Sequence, residues 1–594
     1  MHYDSFIDRK PFGAVVVDTA VSWQIQATEA KVCTLLLAQP DGQMQAHVMQ
    51  AGPRGFSATV QITQAGVWYY AFRVETDTGQ LTYAAQAGGF GGSGQVYQAD
   101  AQAPWYQLTV VSRRETLPAW YQNARIYHIF VDRFNNGNTD GHVNAPKPNS
   151  FLYGQLTDAP YYVKDANGEV VRWDFYGGNL AGITEKLDWL KAQGFTALYL
   201  SPIFEAVSNH RYDTADYMRI DPMLGTLADF KTLVAQLHQR GMRLILDGVF
   251  NHVGRDSRYF NAAGRYPDLG AAQSQASPYA QWFTFKHWPD DYDAWWGVRD
   301  LPAINKQARD FQQFIAGGPT SVLGYWTGLG VDGWRLDVVD ELDMAFVYQI
   351  RALLDQYPQR VLIGEVWEDA SHKIAYGRRR PYFEGHALQA VMNYPQRQWM
   401  IDYVLGKLSP ASFGRQLKTL EENYPAAIFA NNFTSLSTHD TKRVLTVLGH
   451  DLAQLSQLLW LQAMLPGDWV EFYGDAAGLD GGVDPQNRKY YPWGRENQAI
   501  QALYQQAKAL RQTPAFAGNS GFAAFWDAEL FGVLRYSGEA VVIGYFNTGA
   551  QAATLVPDAA ELAYVPEALR ALIQPVTVPA HAQLIQPGLQ HESS

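Results

Sequence analysis

From Trp120 to about Thr513 the chain alternates between apolar, β-prone runs and helix-like segments. The runs ARIYHIFVDRF, FTALYLSPIF, MRLILDGVF, GWRLDVV, VLIGEVW, ALQAVMNY, TSLSTHD and VEFYGDAA supply eight strand candidates with helices between most of them. The helical segments include ITEKLDWLKAQG, LADFKTLVAQLHQRG, one over about 307–328 and one around 443–465. Eight strands linked by crossover helices close into a (β/α)8 barrel, whose functional side chains stand at the C-terminal ends of the strands. Four stretches place acidic residues at or just past such ends: DGVFNH (247–252), GWRLDVVDE (333–341), GEVWE (364–368) and STHD (437–440). A lone Asp at a strand end is usually a helix N-cap. Four such stretches in order on a barrel pattern are poorly explained that way, and carboxylates converging on one pocket are what glycosidic-bond cleavage requires.

The flanks follow a different period. Residues 1–118 carry short alternating runs (VSWQIQA, VCTLLLA, FSATVQIT, VWYYAFRV) broken by turn signals, as a β-sandwich does. Within them the Gly-rich stretch 88–94 reads as a linker. Residues 119–510 hold the barrel, with a polar insertion of little periodicity at 135–173 and an excursion domain at about 253–301, which is too long for a βα loop. Residues 511–594 turn all-β again, in FAAFWDA, LFGVLRYS and AVVIGYFN. The expectation is a multidomain α/β chain: a TIM barrel with an excursion after its third strand, between an N-terminal β-sandwich and a C-terminal antiparallel β domain.

Charge and cysteine content exclude several function classes. The formal net charge of −12 leaves no basic stripe to neutralise phosphates, so no nucleic-acid partner is expected. One cysteine, Cys33, forbids an intrachain disulfide and suits a reducing compartment. The N-terminus lacks a signal-peptide pattern, and no apolar run of about 18 residues exists to span a bilayer. A cytoplasmic protein with no membrane partner is expected.

Acetal hydrolysis passes through an oxocarbenium-like state and needs a proton donor on one side and a carboxylate on the other. Asp337 ends a strand two residues after Arg335, and a neighbouring guanidinium keeps a carboxylate ionised, as a nucleophile must be. Glu365 lies between the apolar run VLIG and Val366-Trp367; apolar surroundings raise a carboxyl pKa and suit a general acid. Asp440 follows His439 at another strand end.

Those motifs resemble the four signature regions of the α-amylase superfamily of glycoside hydrolases. The segment SPIFEAVSNHRYDTADYMRIDP (201–222) and the three-part layout are close to the neopullulanase, cyclomaltodextrinase and maltogenic amylase branch. The resemblance implies that Asp337 is the nucleophile, Glu365 the acid/base and Asp440 the transition-state stabiliser. It implies that Arg335 positions Asp337, that His252 and His439 bind hydroxyls of the sugar at the cleavage point, that Tyr212 stacks on its ring, and that Asp484 and Arg488 line the same subsite. Asp247 is implied to be structural. The implied reaction is hydrolysis of α-1,4 bonds in maltodextrins, cyclodextrins or pullulan with retention and some transglycosylation. An α-1,6-acting or exo-acting relative is the alternative, and a non-catalytic carbohydrate-binding member the remote one. The branch ends its second region in Val-Ala-Asn-Glu, whereas this chain has Asp340 before Glu341, and Glu368 stands where the branch has His. Both changes add negative charge on the acceptor side, where Glu341 is implied to bind. No cofactor is required by this chemistry. The loop NNGNTDG resembles a calcium loop, which would offer Asn136, Asn138, Asp140 and Asn179 to Ca²⁺. Amides at 138 and 179 weaken a hard-cation site, so an ordinary Asn/Gly turn with no metal is favoured. A homodimer through the N-terminal domain is a further implication of the branch.

Overall fold

Short strands buried on both faces sort their side chains by parity rather than by polarity. The computed structural model, which describes residues 1–590 except 99, 149, 519, 558, 560 and 561, has one eight-stranded parallel sheet. Its strands are β1 (Arg125–Ile129), β2 (Ala197–Leu200), β3 (Arg243–Gly248), β4 (Gly333–Leu336), β5 (Val361–Gly364), β6 (Ala390–Val391), β7 (Phe433–Ser435) and β8 (Asp468–Phe472). The order is β6-β5-β4-β3-β2-β1-β8-β7, and a parallel bridge between Met392 and Phe433 joins the two ends into a barrel. Ile126, Ala197, Tyr199, Ile245, Val361, Ile363 and Val470 form one buried cluster, the barrel interior. Their sequence neighbours Tyr127, Leu198, Leu200, Leu244, Leu246, Trp334, Leu336 and Leu362 belong to a second cluster, under the helices. Parity therefore points Asp247, Arg335 and Asp337 inward, in step with Ile245 and out of step with Leu246, Trp334 and Leu336.

The helices hold this arrangement from outside. Leu227–Gln239 begins at Thr226, whose side chain accepts from the Asp229 N–H while Asp229 accepts from the Thr226 N–H. Its buried residues Phe230, Leu233, Val234 and Leu237 follow the i, i+3, i+4, i+7 spacing of one apolar stripe. Full burial of each stabilises the fold by roughly 1.5–3 kcal/mol. Two expected helices are broken. The one over 307–328 divides at Gly317-Gly318-Pro319 into Arg309–Ala316 and Val322–Gly328. The one around 443–465 divides at Gly449 and His450, both at positive φ, into Val444–Val447 and Leu452–Met464. The run ALQAVMNY yields only Ala390–Val391, because Asn393 caps the helix Tyr394–Val404 with Pro395 in its first turn. The insertion 135–173 is not irregular throughout. It contains a small sheet of Ser150–Leu152, Val163–Lys164 and Val170–Phe175.

The N-terminal region forms a four-stranded and a seven-stranded sheet around Trp23, Leu35, Leu37, Tyr70, Phe72 and Leu108. The C-terminal region has an antiparallel sheet of Gly521–Trp526, Phe531–Ser537, Ala540–Asn547 and Ala582–Gln590. The stretch 88–94 is a packed joint and not a free linker. The Gly91 N–H donates to Thr419 Oγ1 at 3.0 Å, and a Cβ on Gly91 would stand 2.2 Å from Glu422 Oε2. That carboxylate pairs with Arg9 at 3.0 Å, with both side chains at most 2% exposed. Among the described residues no helix is long and apolar enough to cross a membrane.

Candidate active site

Arg335 stands at the centre of the barrel mouth, fully buried, and binds three carboxylates. Its Nη1 donates to Asp247 Oδ1 and Oδ2 at 2.8 and 2.9 Å and to Asp337 Oδ1 at 2.8 Å, and its Nη2 lies 2.8 Å from Glu365 Oε2. Strands β3, β4 and β5 thus deliver one carboxylate each to a single cation. Among the described residues Asp337 Oδ2 takes no hydrogen bond, so one oxygen of that carboxylate is free for chemistry. Tyr199 and Tyr212 donate to Asp247 Oδ2 at 2.5 and 2.8 Å, which fixes Asp247 as the support of the cluster.

The backbone ties the two reacting carboxylates together. Val338 sits in the left-handed region (φ 38°, ψ 53°), where a β-branched residue is an outlier costing about 1–2 kcal/mol. The turn aims the Val338 N–H at Glu365 Oε2, 2.8 Å away, while the Asp337 N–H is held by Gly248 O at 3.1 Å. The other oxygen of Glu365 accepts from Trp367 Nε1 at 3.1 Å, and the Trp367 ring lies flat on Tyr394, with centroids 3.9 Å apart.

Beside this core, Tyr212 stacks on His439 (5.2 Å, 10°) and its hydroxyl is 2.6 Å from His439 Nε2, which also lies 2.8 Å from Asp440 Oδ2. Arg488 donates to the His439 carbonyl at 3.0 and 3.1 Å and pairs with Asp484 at 2.9 Å. His252 packs against Trp295 (5.3 Å, 26°), and among the described residues its buried Nε2 has no partner. Glu341 lies farther out, held by Trp296 and Tyr376. Asp340 accepts from the Tyr382 hydroxyl at 2.6 Å and pairs with Lys373, which also holds Glu368. The sequence-derived residues therefore converge on one mouth, with Glu341 on its rim. Sequence reasoning missed Tyr199, the left-handed Val338 and the hydrogen bond that Trp367 gives Glu365. It also missed Tyr162, an insertion residue whose hydroxyl donates to Asp484 at 2.7 Å. A strand-parity count from Asp247 would have found Tyr199. Nothing local marks the others.

The electrostatics follow from burial with too few cations. Burial pushes the Asp337 carboxyl well up; Arg335 opposes this, and the charges of Glu365, Asp247 and Asp440 reinforce it. Burial likewise raises Glu365, with Arg335 opposing and Asp440 reinforcing. Arg335 favours the ionised form of Asp337, as expected of a neighbouring guanidinium, but it is shared with Asp247 and Glu365. Such a cluster titrates as a unit and retains a proton that separate carboxyls would lose. Burial would also raise Asp440, but His439, Arg488 and Arg335 more than offset it and hold it below the usual carboxylate range. Burial lowers His252 to about 3, so it is neutral, and lowers Lys306 to about 8 against the pull of Glu341.

The calcium-like loop is closed by hydrogen bonds among its own amides. Asn179 Oδ1 accepts from the N–H groups of Gly137 and Gly182, so its amide nitrogen faces Asn136 Oδ1 at 2.9 Å. Asn136 Oδ1 also takes the Asn138 N–H, which turns the Asn136 nitrogen onto the carbonyls of Gly141 and His142. Asn138 donates to the His142 carbonyl at 2.8 Å, and Asp140 turns to His142 instead.

Residues 128–527 match the family described as alpha amylase, catalytic domain. The chain is 32% identical over 578 residues to an amylopullulanase of Thermoanaerobacterium saccharolyticum, covering 86% of this chain and 44% of that protein. It therefore spans less than half the length of that relative. It is 34% identical over 462 residues to the intracellular maltogenic amylase of Bacillus subtilis, covering 75% of this chain and 72% of the relative. The solved cyclic alpha-maltosyl-(1→6)-maltose hydrolase of Arthrobacter globiformis aligns with a TM-score of 0.68 at 27% identity, covering 79% of this chain and 100% of that one.

Proposed function

The chain belongs to the alpha-amylase family, and on that premise we propose that it is a retaining α-glucan hydrolase acting on α-1,4 bonds of maltodextrins, cyclodextrins or pullulan. The observation that carries this reading is the shared guanidinium of Arg335. It gathers Asp337 and Glu365 at one mouth while leaving Asp337 Oδ2 unbonded among the described residues, an oxygen that double displacement can use for attack. Asp337 Oδ2 attacks the anomeric carbon while Glu365 gives its proton to the leaving oxygen. Glu365, now a base, takes a proton from the water that releases the sugar. Asp440, held ionised beside His439, stabilises positive charge on the ring. Neutral His252, with His439, binds hydroxyls, Tyr212 offers its ring face, and the Asp484–Arg488 pair closes the subsite. Activity on α-1,6 bonds is the second reading. It is favoured by similarity to an amylopullulanase and to a hydrolase of an α-1,6-linked cyclic maltosyl substrate.

An intracellular location fits the single, buried Cys33. A homodimer through the N-terminal domain fits the edge strand Met44–Val48, which exposes Met44 and Val48. The deciding experiment compares products from maltoheptaose, β-cyclodextrin, pullulan and soluble starch, with the anomeric configuration followed by NMR. Retained α-anomers, fast attack on the cyclic and short substrates and panose from pullulan are expected. Maltotriose from pullulan would assign the α-1,6 reading, and inverted product would overturn double displacement.

A further inference from the structure

Two of the most exposed aromatic side chains in the molecule lean on one carboxylate. Trp296 is 79% exposed and Tyr376 69% exposed. Trp296 Nε1 donates to Glu341 Oε1 at 3.1 Å, and the Tyr376 hydroxyl donates to Glu341 Oε2. Trp296 comes from the excursion at 253–301. Tyr376 comes from the turn between the paired strands Ile374–Ala375 and Arg378–Arg379, downstream of Glu365. Both residues have left-handed backbones, with φ of 49° and 53°. A bulky residue in that region is strained, and an aromatic face left in water gains nothing from burial. Both disadvantages fall on both residues, and strain of this kind collects at ligand clamps.

The supports around them are firm. Trp296 stacks on Trp295 (5.5 Å, 26°), which stacks on His252 (5.3 Å, 26°), so a ladder of rings runs from the reacting sugar's subsite to Glu341. The base of the hairpin is fixed by Arg380, which donates to the carbonyls of Leu342 and Asp340 at 3.1 and 2.7 Å. Glu341 itself ends the turn that starts at Asp337, its N–H bonded to Val338 O at 2.8 Å. A general acid stands beside the leaving oxygen, and Arg380 ties the hairpin after Glu365 to the same turn that carries Asp337.

We propose that Trp296, Glu341 and Tyr376 form a clamp across the leaving-group side of the cleft and that this clamp selects short glucans over long ones. The proposal rests on the hydrolase reading above. The carboxylate holds the polar end of each ring and leaves the Tyr376 ring and the face of Trp296 turned away from Trp295 to stack on the apolar faces of one or two sugars. A long or branched chain must displace the bridge to be seated.

The test is kcat and KM on maltotriose and on long amylose for the unaltered enzyme and for Glu341→Ala, Trp296→Ala and Tyr376→Phe. Releasing the bridge is expected to raise KM for maltotriose and to move the ratio of kcat/KM, amylose over maltotriose, about tenfold toward amylose in the two alanine variants. Tyr376→Phe, which removes one hydroxyl and keeps the ring, is expected to move the ratio the same way by a smaller factor. It remains informative if an alanine variant fails to fold. A ratio within about twofold of the unaltered enzyme in every folded variant overturns the clamp. An unaltered enzyme that cleaves neither sugar overturns the hydrolase reading instead.

Discussion

Arg335 serves Asp247, Asp337 and Glu365 with one positive charge, and the pH behaviour of the enzyme follows from that shortage. Glu365 is raised, by burial first. Its proton is present below the raised value and is lost as pH climbs through it, so activity falls on that side, at higher pH than an ordinary glutamic acid would give. Glu365→Gln is expected to lower kcat by roughly 10²–10⁴-fold and to abolish this basic limb. Asp337→Asn is expected to do at least as much damage and to move the limb of the residual rate to lower pH, because it removes a carboxylate that titrates together with Glu365 and shares its cation. A steady-state pH profile of the three proteins checks this, and a basic limb surviving in Glu365→Gln would assign the acid elsewhere. The carboxylates were legible because each breaks an apolar run. Val338 was not, since a left-handed valine looks like any other strand residue until the turn after β4 is built.

At the scale of elements, Asn136 and Asn138 close the loop after β1 on the carbonyls of Gly141 and His142, and Asn179 braces Asn136 from behind. We expect the melting temperature of the unaltered protein to be the same in calcium and in a chelator, to within about a degree. The doubly substituted Asn136→Asp, Asn138→Asp is expected to lose stability and to regain it when calcium is added, because carboxylates would turn the donors into acceptors. Calorimetry with and without chelator decides the matter, and a chelator-sensitive unaltered protein would contradict the amide network. Strand candidates were legible by their apolar runs, and the short insertion sheet was hidden by its polar sequence. The helix breaks at Gly317-Gly318-Pro319 and Gly449 had visible signals, but neighbouring helical periodicity outweighed them.

Across the whole molecule, the three-part layout could be read from the change of period along the chain, but the contacts between its parts could not. A glycine run has the composition of a linker, and only the distant Thr419 and Glu422 make it a joint. Glu422→Ala would leave the Arg9 guanidinium buried without its carboxylate, and we expect about 3–5 kcal/mol of destabilisation. The loss should appear as an early calorimetric transition of the N-terminal sheets while the barrel melts as before, and a single unshifted transition would contradict the joint. Arg9 and Glu422 are 413 residues apart. At roughly 5–20 residues per second of synthesis, Arg9 emerges from the ribosome about 20–80 seconds before its partner exists. Through that interval the N-terminal sheets must stand alone, with a hydrated arginine on the face that later becomes a seam. The seam closes only after the helix Pro410–Asn423 is made, when more than two thirds of the chain exists and the C-terminal sheet is still to come.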